Sequence, residues 1–283
     1  MSCTASTKSF GPTGISVPVV GQGTWHMGDD RRERAAEVAA LRLGLDLGLT
    51  HIDTAEMYGR GGAEEVIAQV LRGRRRSDIF LVSKVLPENA SRAGTIRAAE
   101  QSLRRLGTDY LDLYLLHWQG RHPIAETMEA MEKLIADGKI RLLGVSNFDV
   151  AELREAIAAL GRERLACNQV LYNLAHRGIE WDLLPFCHQR GIPVMAYSPI
   201  EQGRLLDASA LAEVAARHHV TPAQVALAWV LRHEDVIAIP KAASPAHVDE
   251  NRAALDVHLS AQDIAHLNRA FPPPTSKVPL EML

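Results

Sequence analysis

Four residues of complementary acid–base chemistry stand where apolar runs end. Asp53 closes His51-Ile52-Asp53, Lys84 follows Phe80-Leu81-Val82-Ser83, His117 ends Leu113-Tyr114-Leu115-Leu116-His117, and Tyr58 lies five positions beyond Asp53. Singly each has an ordinary explanation, since an Asp after a strand caps a turn, a Lys is solvated and a His is a hydrogen-bonded core group. Their joint placement on three successive strand ends and one adjoining loop singles them out. A phenol with a pKa of about 10 is a poor acid at neutral pH, and a neighbouring ammonium favours its ionised form. Lys84 is placed to supply that charge, Asp53 to hold the lysine charged and oriented, and His117 to donate a hydrogen bond to a carbonyl oxygen that Tyr58 protonates. Such a set suits the polarisation of a carbonyl group while a hydride reaches its carbon.

Bringing four such groups to one mouth requires parallel strands that end together. Short β-branched or Leu-rich runs do alternate with stretches of helical period: residues 79–82 precede a helix over 95–106, and 111–116 precede one over 124–136. This alternation marks parallel βα units. Further strands fall at 19–23, 51–53, 142–145, 167–170, 193–197 and 236–239, which makes eight. Each run is apolar without alternation, as expected for strands covered on both faces. Eight units in series predict an α/β fold, a closed (β/α)8 barrel with its site at the C-terminal strand ends. Gly48 after a helix over 32–47, Asp137-Gly138 and Thr221-Pro222 supply helix punctuation. Gly and Pro between short extended pieces at 9–17 predict a hairpin over the barrel bottom. Helices over 208–217 and 261–270 exceed one per strand, and the run from Phe271-Pro272-Pro273-Pro274 to Leu283 is too proline-rich for another helix or central strand. With no linker or compositional shift, residues 1–283 are expected to form a single barrel domain.

Composition narrows the partners. At 47% hydrophobic and 23% charged residues the 283-residue chain is an ordinary globular protein, which excludes disorder and fibrous repeats. A net charge of -3 without a basic block makes nucleic acid and anionic membranes poor partners. The start, Met1 to Lys8, lacks the apolar run of a signal peptide, and no stretch approaches the roughly 18 apolar residues of a membrane span, so a cytoplasmic location is expected. Cys3, Cys167 and Cys187 are scattered, without a Cys-x-x-Cys pair, and read as reduced thiols. Twelve histidines invite a metal-dependent barrel hydrolase or isomerase, yet neither His-x-His nor His-Glu-x-x-His occurs, and no metal is expected. Asp109 and Asp112 begin the His117 strand and read as structural. Gly21-Gln22-Gly23 continues into Thr24-Trp25-His26, so the Gly-x-Gly-x-x-Gly fingerprint is absent, as is a Gly-Lys-Ser/Thr phosphate loop.

The ordered stretches Gly21-Gln22-Gly23-Thr24-Trp25, His51 to Gly59, Leu113 to Trp118, Gly144-Val145-Ser146-Asn147-Phe148, Ala196-Tyr197-Ser198-Pro199 and Ile239-Pro240-Lys241 resemble the aldo-keto reductase family over nearly the whole chain. Residues 21–27 and 196–200 and the short tail look most like the bacterial branch that reduces methylglyoxal and other small aldehydes. The resemblance implies that Asp53, Tyr58, Lys84 and His117 form a catalytic tetrad, with Tyr58 as general acid in reduction. It also implies NADPH, with NADH as a possible second cofactor, extended across the barrel mouth. Ser146, Asn147 and Gln169 would hold the carboxamide, Tyr197 would stack on the nicotinamide, and Ser198 with Ile200 would follow the pyrophosphate. Glu250 and Asn251 would address the adenine, and Gly23, Thr24, Trp25, Asp53, Pro199, Gly203 and Ile239 complete the implied contacts.

One end departs from the family pattern, which places Lys, then Ser, then an Arg six positions beyond the Lys around the 2′-phosphate. Lys241 stands here, but Ala242 replaces the Ser, Ser244 comes two places later and His247 takes the Arg position. An arginine is a permanent bidentate charge, whereas an imidazole is mostly neutral above about pH 6.5. The expected preference for NADPH over NADH is therefore smaller than is usual in the family, with Lys241 giving most of it. For substrate, Trp25, Met57, Tyr58, His117 and Trp118 are expected to line the pocket, while His26, Met27 and Glu56 either touch substrate or face solvent. Because little follows residue 270 beyond prolines, a shallow, open pocket that tolerates small dicarbonyls and aromatic aldehydes is expected, with a small aldehyde or ketone as substrate. Nothing demands an oligomer, and a monomer is expected. The rival on the same fold is a non-catalytic nicotinamide-binding module.

Overall fold

A computed structural model describes residues 6–161 and 164–283. Cys3 and the rest of residues 1–5 lie outside the described residues. Ten strands and ten α-helices follow one another in the expected alternation among these residues. A short hairpin, β1 (Thr7–Ser9) and β2 (Ser16–Pro18), is antiparallel, pairing Thr7 with Pro18. The barrel strands are β3 (Gln22–Gly23), β4 (His51–Asp53), β5 (Phe80–Val85), β6 (Leu111–Leu116), β7 (Ile140–Ser146), β8 (Asn168–Leu171), β9 (Val194–Tyr197) and β10 (Val236–Ala238), parallel and each beside its neighbour in sequence. Parallel bridges Val20↔Ala238 and Gly23↔Lys241 join the two ends, with the Gly21 amide donating to Ala238 O at 2.8 Å and the Gly23 amide to Pro240 O at 2.9 Å. The sheet is thus closed, as the eight-strand count predicts.

The period of two along each strand divides the layers. Phe80 and Val82, Leu113 and Leu115, Met195, Ile237 and Ile239 share one apolar cluster with Phe10 and Val17 of the hairpin. Phe10 seats its ring 5.2 Å from that of Phe80, at the start of β5, so the hairpin plugs the bottom as expected. Continuing the same alternation, Lys84 and His117 follow on the faces of Val82 and Leu115, and Asp53 follows His51. The inner column turns from apolar at the bottom to polar at the mouth.

The intervening residues pack outward under the helices α1 (Arg34–Asp46), α2 (Gly62–Leu71), α3 (Arg92–Leu106), α4 (Ile124–Ala136), α5 (Val150–Ala159), α6 (Leu183–Arg190), α7 (Ser209–His218), α8 (Pro222–Val230), α9 (Pro245–Ala253) and α10 (Ala261–Ala270). Thr221 and Gln224 form a capping box on α8 with Pro222 just inside it. Helix α3 begins three residues earlier than its periodicity suggests, because the Ser91 side chain accepts the Gly94 amide and caps it there. Asp112 is structural, as expected, accepting Arg76 at 2.7 Å, Arg141 at 3.0 Å and the Leu81 amide at 3.0 Å. No helix among the described residues is long and apolar enough to cross a membrane.

Candidate active site

Asp53 and Lys84 reach the mouth on β4 and β5, and His117 follows the last residue of β6, its amide donating to Val85 O at 3.0 Å. Tyr58 comes from the turn before α2, which is anchored twice. Glu64 of α2 is fully buried, accepting Ser83 Oγ at 2.7 Å from β5 and Arg105 Nε at 2.5 Å from α3. The turn also packs on Gly28, at φ +77°, where a Cβ would lie 2.3 Å from the Gly62 carbonyl carbon, so only glycine permits this approach.

The four expected groups meet. The fully buried Lys84 Nζ lies 2.7 Å from Asp53 Oδ2, 2.8 Å from Thr54 O and 3.2 Å from Tyr58 OH. An ammonium has three donors, and these acceptors use all of them. Because Lys84 donates to the phenol oxygen, the Tyr58 hydroxyl hydrogen is left for another acceptor. Gln169 Nε2 donates to Asp53 Oδ1 at 2.7 Å and fixes the carboxylate from the far side. The His117 ring packs edge-on to Tyr58, centroids 5.8 Å apart.

Electrostatics fix the protons. Burial works against the charge of Lys84, but Asp53 beside it and the Tyr58 contact outweigh that, and its pKa is raised. Burial pushes the Tyr58 phenol upward, and the Lys84 charge pulls it back only in part, so its pKa is also raised. The expected acidifying lysine is in place, yet in this structure desolvation is the larger effect. Burial, helped by the Lys84 charge, drops His117 to about 2. His117 is therefore a neutral imidazole at working pH, able to donate one hydrogen bond, with its buried Nδ1 making none in this structure.

These groups stand at one end of an elongated cavity of about 640 Å³. Trp25, Met57, Tyr58, His117 and Trp118, the expected substrate wall, line it together, and the Trp25 and Tyr58 rings meet edge-to-face at 4.9 Å. Gly23, Thr24, Asp53, Ser146, Asn147, Gln169 and Tyr197 continue the wall, followed by Ser198, Pro199, Ile200, Gly203 and Ile239, and then Lys241, His247, Glu250 and Asn251. Two expected cofactor residues are off it. Ala242 is buried in an apolar cluster with Val19, Val20 and Val248, and Ser244 caps α9 by accepting the His247 amide. Of the three undecided positions, His26 lines the cavity, Met27 is in the core, and Glu56 is buried, accepting the Leu86 amide at 2.7 Å and Asn89 Nδ2 at 3.0 Å.

Other parts carry no sequence signal. Asn173, after β8, donates through Nδ2 to Ser198 O at 2.9 Å and Glu201 Oε2 at 2.8 Å. It thereby holds a loop in which Ser198, Glu201 and Gln202 all have positive φ, between 46° and 54°, a strained backbone that persists only when its surroundings over-determine it. Tyr197 OH donates to Asn147 Oδ1 at 3.0 Å, which fixes the plane of its ring. The tail corrects the expectation of a shallow, open pocket. It has no regular structure, as expected, but folds back over the mouth: Lys277 pairs with Asp182 at 2.9 Å, Glu281 with His176 at 3.1 Å, and Met282 and Leu283 line the cavity.

The cavity fits an extended dinucleotide by its donor set: amide side chains and a flat ring at the tetrad end, a loop of backbone groups in the middle, and Lys241 with His247 at the far end. Known proteins agree with this geometry. Residues 19–271 match the sequence profile of the Aldo/keto reductase family. The methylglyoxal reductase YeaE of Escherichia coli (strain K12) is 56% identical over 274 residues, covering 95% of this chain and 96% of that protein. The glyoxal reductase of Bacillus subtilis (strain 168) is 36% identical over 89% of this chain and 88% of its own length. The crystal structure of an aldo-keto reductase from Klebsiella pneumoniae in complex with NADPH superposes with a TM-score of 0.93, at 54% identity, over 99% of this chain and 100% of that one.

Proposed function

The chain belongs to the aldo/keto reductase family, and we propose that it reduces aldehydes and small dicarbonyl compounds of the methylglyoxal type to alcohols with NADPH. The observation that carries this is the Lys84 ammonium, which spends its three donors on Asp53, Thr54 O and Tyr58 OH at the end of a dinucleotide-sized cavity. When bound, NADPH would supply the hydride. Tyr197, Asn147, Ser146 and Gln169 would hold its nicotinamide end, and Lys241 with His247 its phosphate end.

The chain supplies everything else. Trp25, Met57 and Trp118 form an apolar wall that excludes water around the carbonyl group. His117, neutral, donates a hydrogen bond that orients the carbonyl oxygen toward Tyr58. Tyr58 delivers its hydroxyl proton as charge develops on that oxygen, and Lys84, already hydrogen-bonded to the phenol oxygen, stabilises the phenolate left behind. Asp53 and Gln169 keep the ammonium aimed. The roof formed by Met282 and Leu283 restricts the pocket from above, which favours small carbonyl compounds over bulky ones.

NADPH oxidation by the purified protein with methylglyoxal or 4-nitrobenzaldehyde tests the proposal, and a chain that binds NADPH but turns over neither would instead be the non-catalytic module. A metal-dependent reaction is not favoured by the donors present: among the described residues, no three His, Cys, Asp or Glu side chains converge as a metal set. The proposal extends to a single barrel domain acting as a cytoplasmic monomer.

A further inference from the structure

A second crevice, of about 430 Å³, opens beside Tyr58 and is lined by Trp25, His26, Asp29, Met57, Gly59 and Arg60. Trp25, His26, Met57 and Tyr58 line both this crevice and the main cavity, so the two are continuous at the phenol. Arg60 brings a permanent positive charge to it. Among the described residues no carboxylate lies within ion-pair distance of Arg60, whereas the nearby Asp29 is already engaged by His26 Nδ1 at 2.9 Å. The backbone holds Arg60 in place at a cost: it sits at φ 54°, ψ 42°, immediately after Gly59 at φ 57°, with its amide donating to Met57 O at 3.0 Å. A left-handed conformation is easy for glycine and unfavourable for a residue that carries a Cβ, such as arginine. The turn that carries Tyr58 therefore also carries Arg60, exposed and two residues later, in the lining of the adjoining crevice.

We propose that this crevice receives the carboxylate of an anionic carbonyl substrate, an aldehyde or ketone bearing a carboxylate several bonds from the reacting group, and that Arg60 is the residue that recognises it. A guanidinium presents paired N–H donors that match the two oxygens of a carboxylate, a geometry that an ester cannot reproduce as a charged acceptor. Trp25 and Met57 would cover the linking carbons, leaving the carbonyl at Tyr58 and His117. The inference rests on the reductase activity proposed above and adds to it a substrate class.

The test compares 4-carboxybenzaldehyde with its methyl ester, which share the reacting group and differ in charge. Steady-state kcat/KM is measured for both at saturating NADPH, in the wild type, Arg60→Gln and Arg60→Lys, at low salt and in 0.5 M salt. The acid-to-ester ratio should fall about three- to tenfold in Arg60→Gln, through KM for the acid, because an exposed to half-buried charge pair is worth about that much. Arg60→Lys should keep part of the preference, and salt should shrink it in the wild type and Arg60→Lys but not in Arg60→Gln. Equal ratios in the wild type and Arg60→Gln, with the ester still turned over, would overturn the carboxylate site and leave the reductase proposal standing. Failure of the wild type to reduce either aldehyde would overturn both.

Discussion

A buried ammonium with three matched acceptors is as much a structural element as a chemical one. Replacing Lys84 by Met leaves the Asp53 carboxylate buried without its counter-charge, a change that costs about 3 kcal/mol in comparable sites. Lys84→Met should lower the thermal midpoint by several degrees and reduce kcat at least 100-fold, and a variant of unchanged stability would show that the pair carries no such cost. His51, two residues before Asp53 on the same inner face, is fully buried, and burial lowers its pKa to about 4. Above about pH 6.5 it is neutral folded and unfolded, and contributes nothing to pH dependence. Between there and about pH 4 only the unfolded chain takes the proton, so stability falls with pH, by at most about 3 kcal/mol from this group. Denaturant midpoints at pH 8 and pH 5 should accordingly differ less in His51→Asn than in the wild type. At this scale the tetrad was legible because the period of two carries each apolar strand to a single polar residue at its end. The lysine's net effect on Tyr58 was not, since charge and desolvation oppose each other and only the depth of burial decides between them.

Strands and capped helices were legible as elements, and the loops that finish the site were not. β5 through β10 and helices such as α4 and α10 fall where periodicity places them, because both depend on local sequence. The loop over residues 198–203 depends instead on Asn173, which reaches it from the end of another strand, and no sequence pattern connects the two. Asn173→Ala removes the hydrogen bonds that its Nδ2 donates to the Ser198 carbonyl and the Glu201 carboxylate of a loop with three strained residues, along with those that its Oδ1 accepts from the Ala175 and His176 amides. The expected result is a three- to tenfold rise in the dissociation constant for NADPH, about 1 kcal/mol, with kcat for a small aldehyde within about twofold of wild type. A variant with unchanged nucleotide affinity would mean that the loop keeps its shape without this clamp.

Among the described residues the eight parallel strands close into a barrel whose polar end faces the main cavity, and the chain's nearly balanced charge leaves nucleotide binding to local groups. Lys241→Ala should weaken NADPH about tenfold and NADH less than twofold, the loss of one charge-assisted contact; a wild type that clearly prefers NADH would contradict the assignment of Lys241 to the 2′-phosphate. The closed fold followed from counting eight apolar runs, whereas the return of the tail did not, because its path is set by Lys277 and Glu281 meeting distant partners rather than by any local propensity. What remains central is that Tyr58 gives up the proton. Its most direct measurement is the rate of NADPH oxidation with methylglyoxal by wild type and Tyr58→Phe, alongside NADPH binding by tryptophan fluorescence. The account predicts at least a 100-fold loss of kcat in Tyr58→Phe with the dissociation constant for NADPH within about threefold; a Tyr58→Phe enzyme that turns over at near wild-type rate would contradict it.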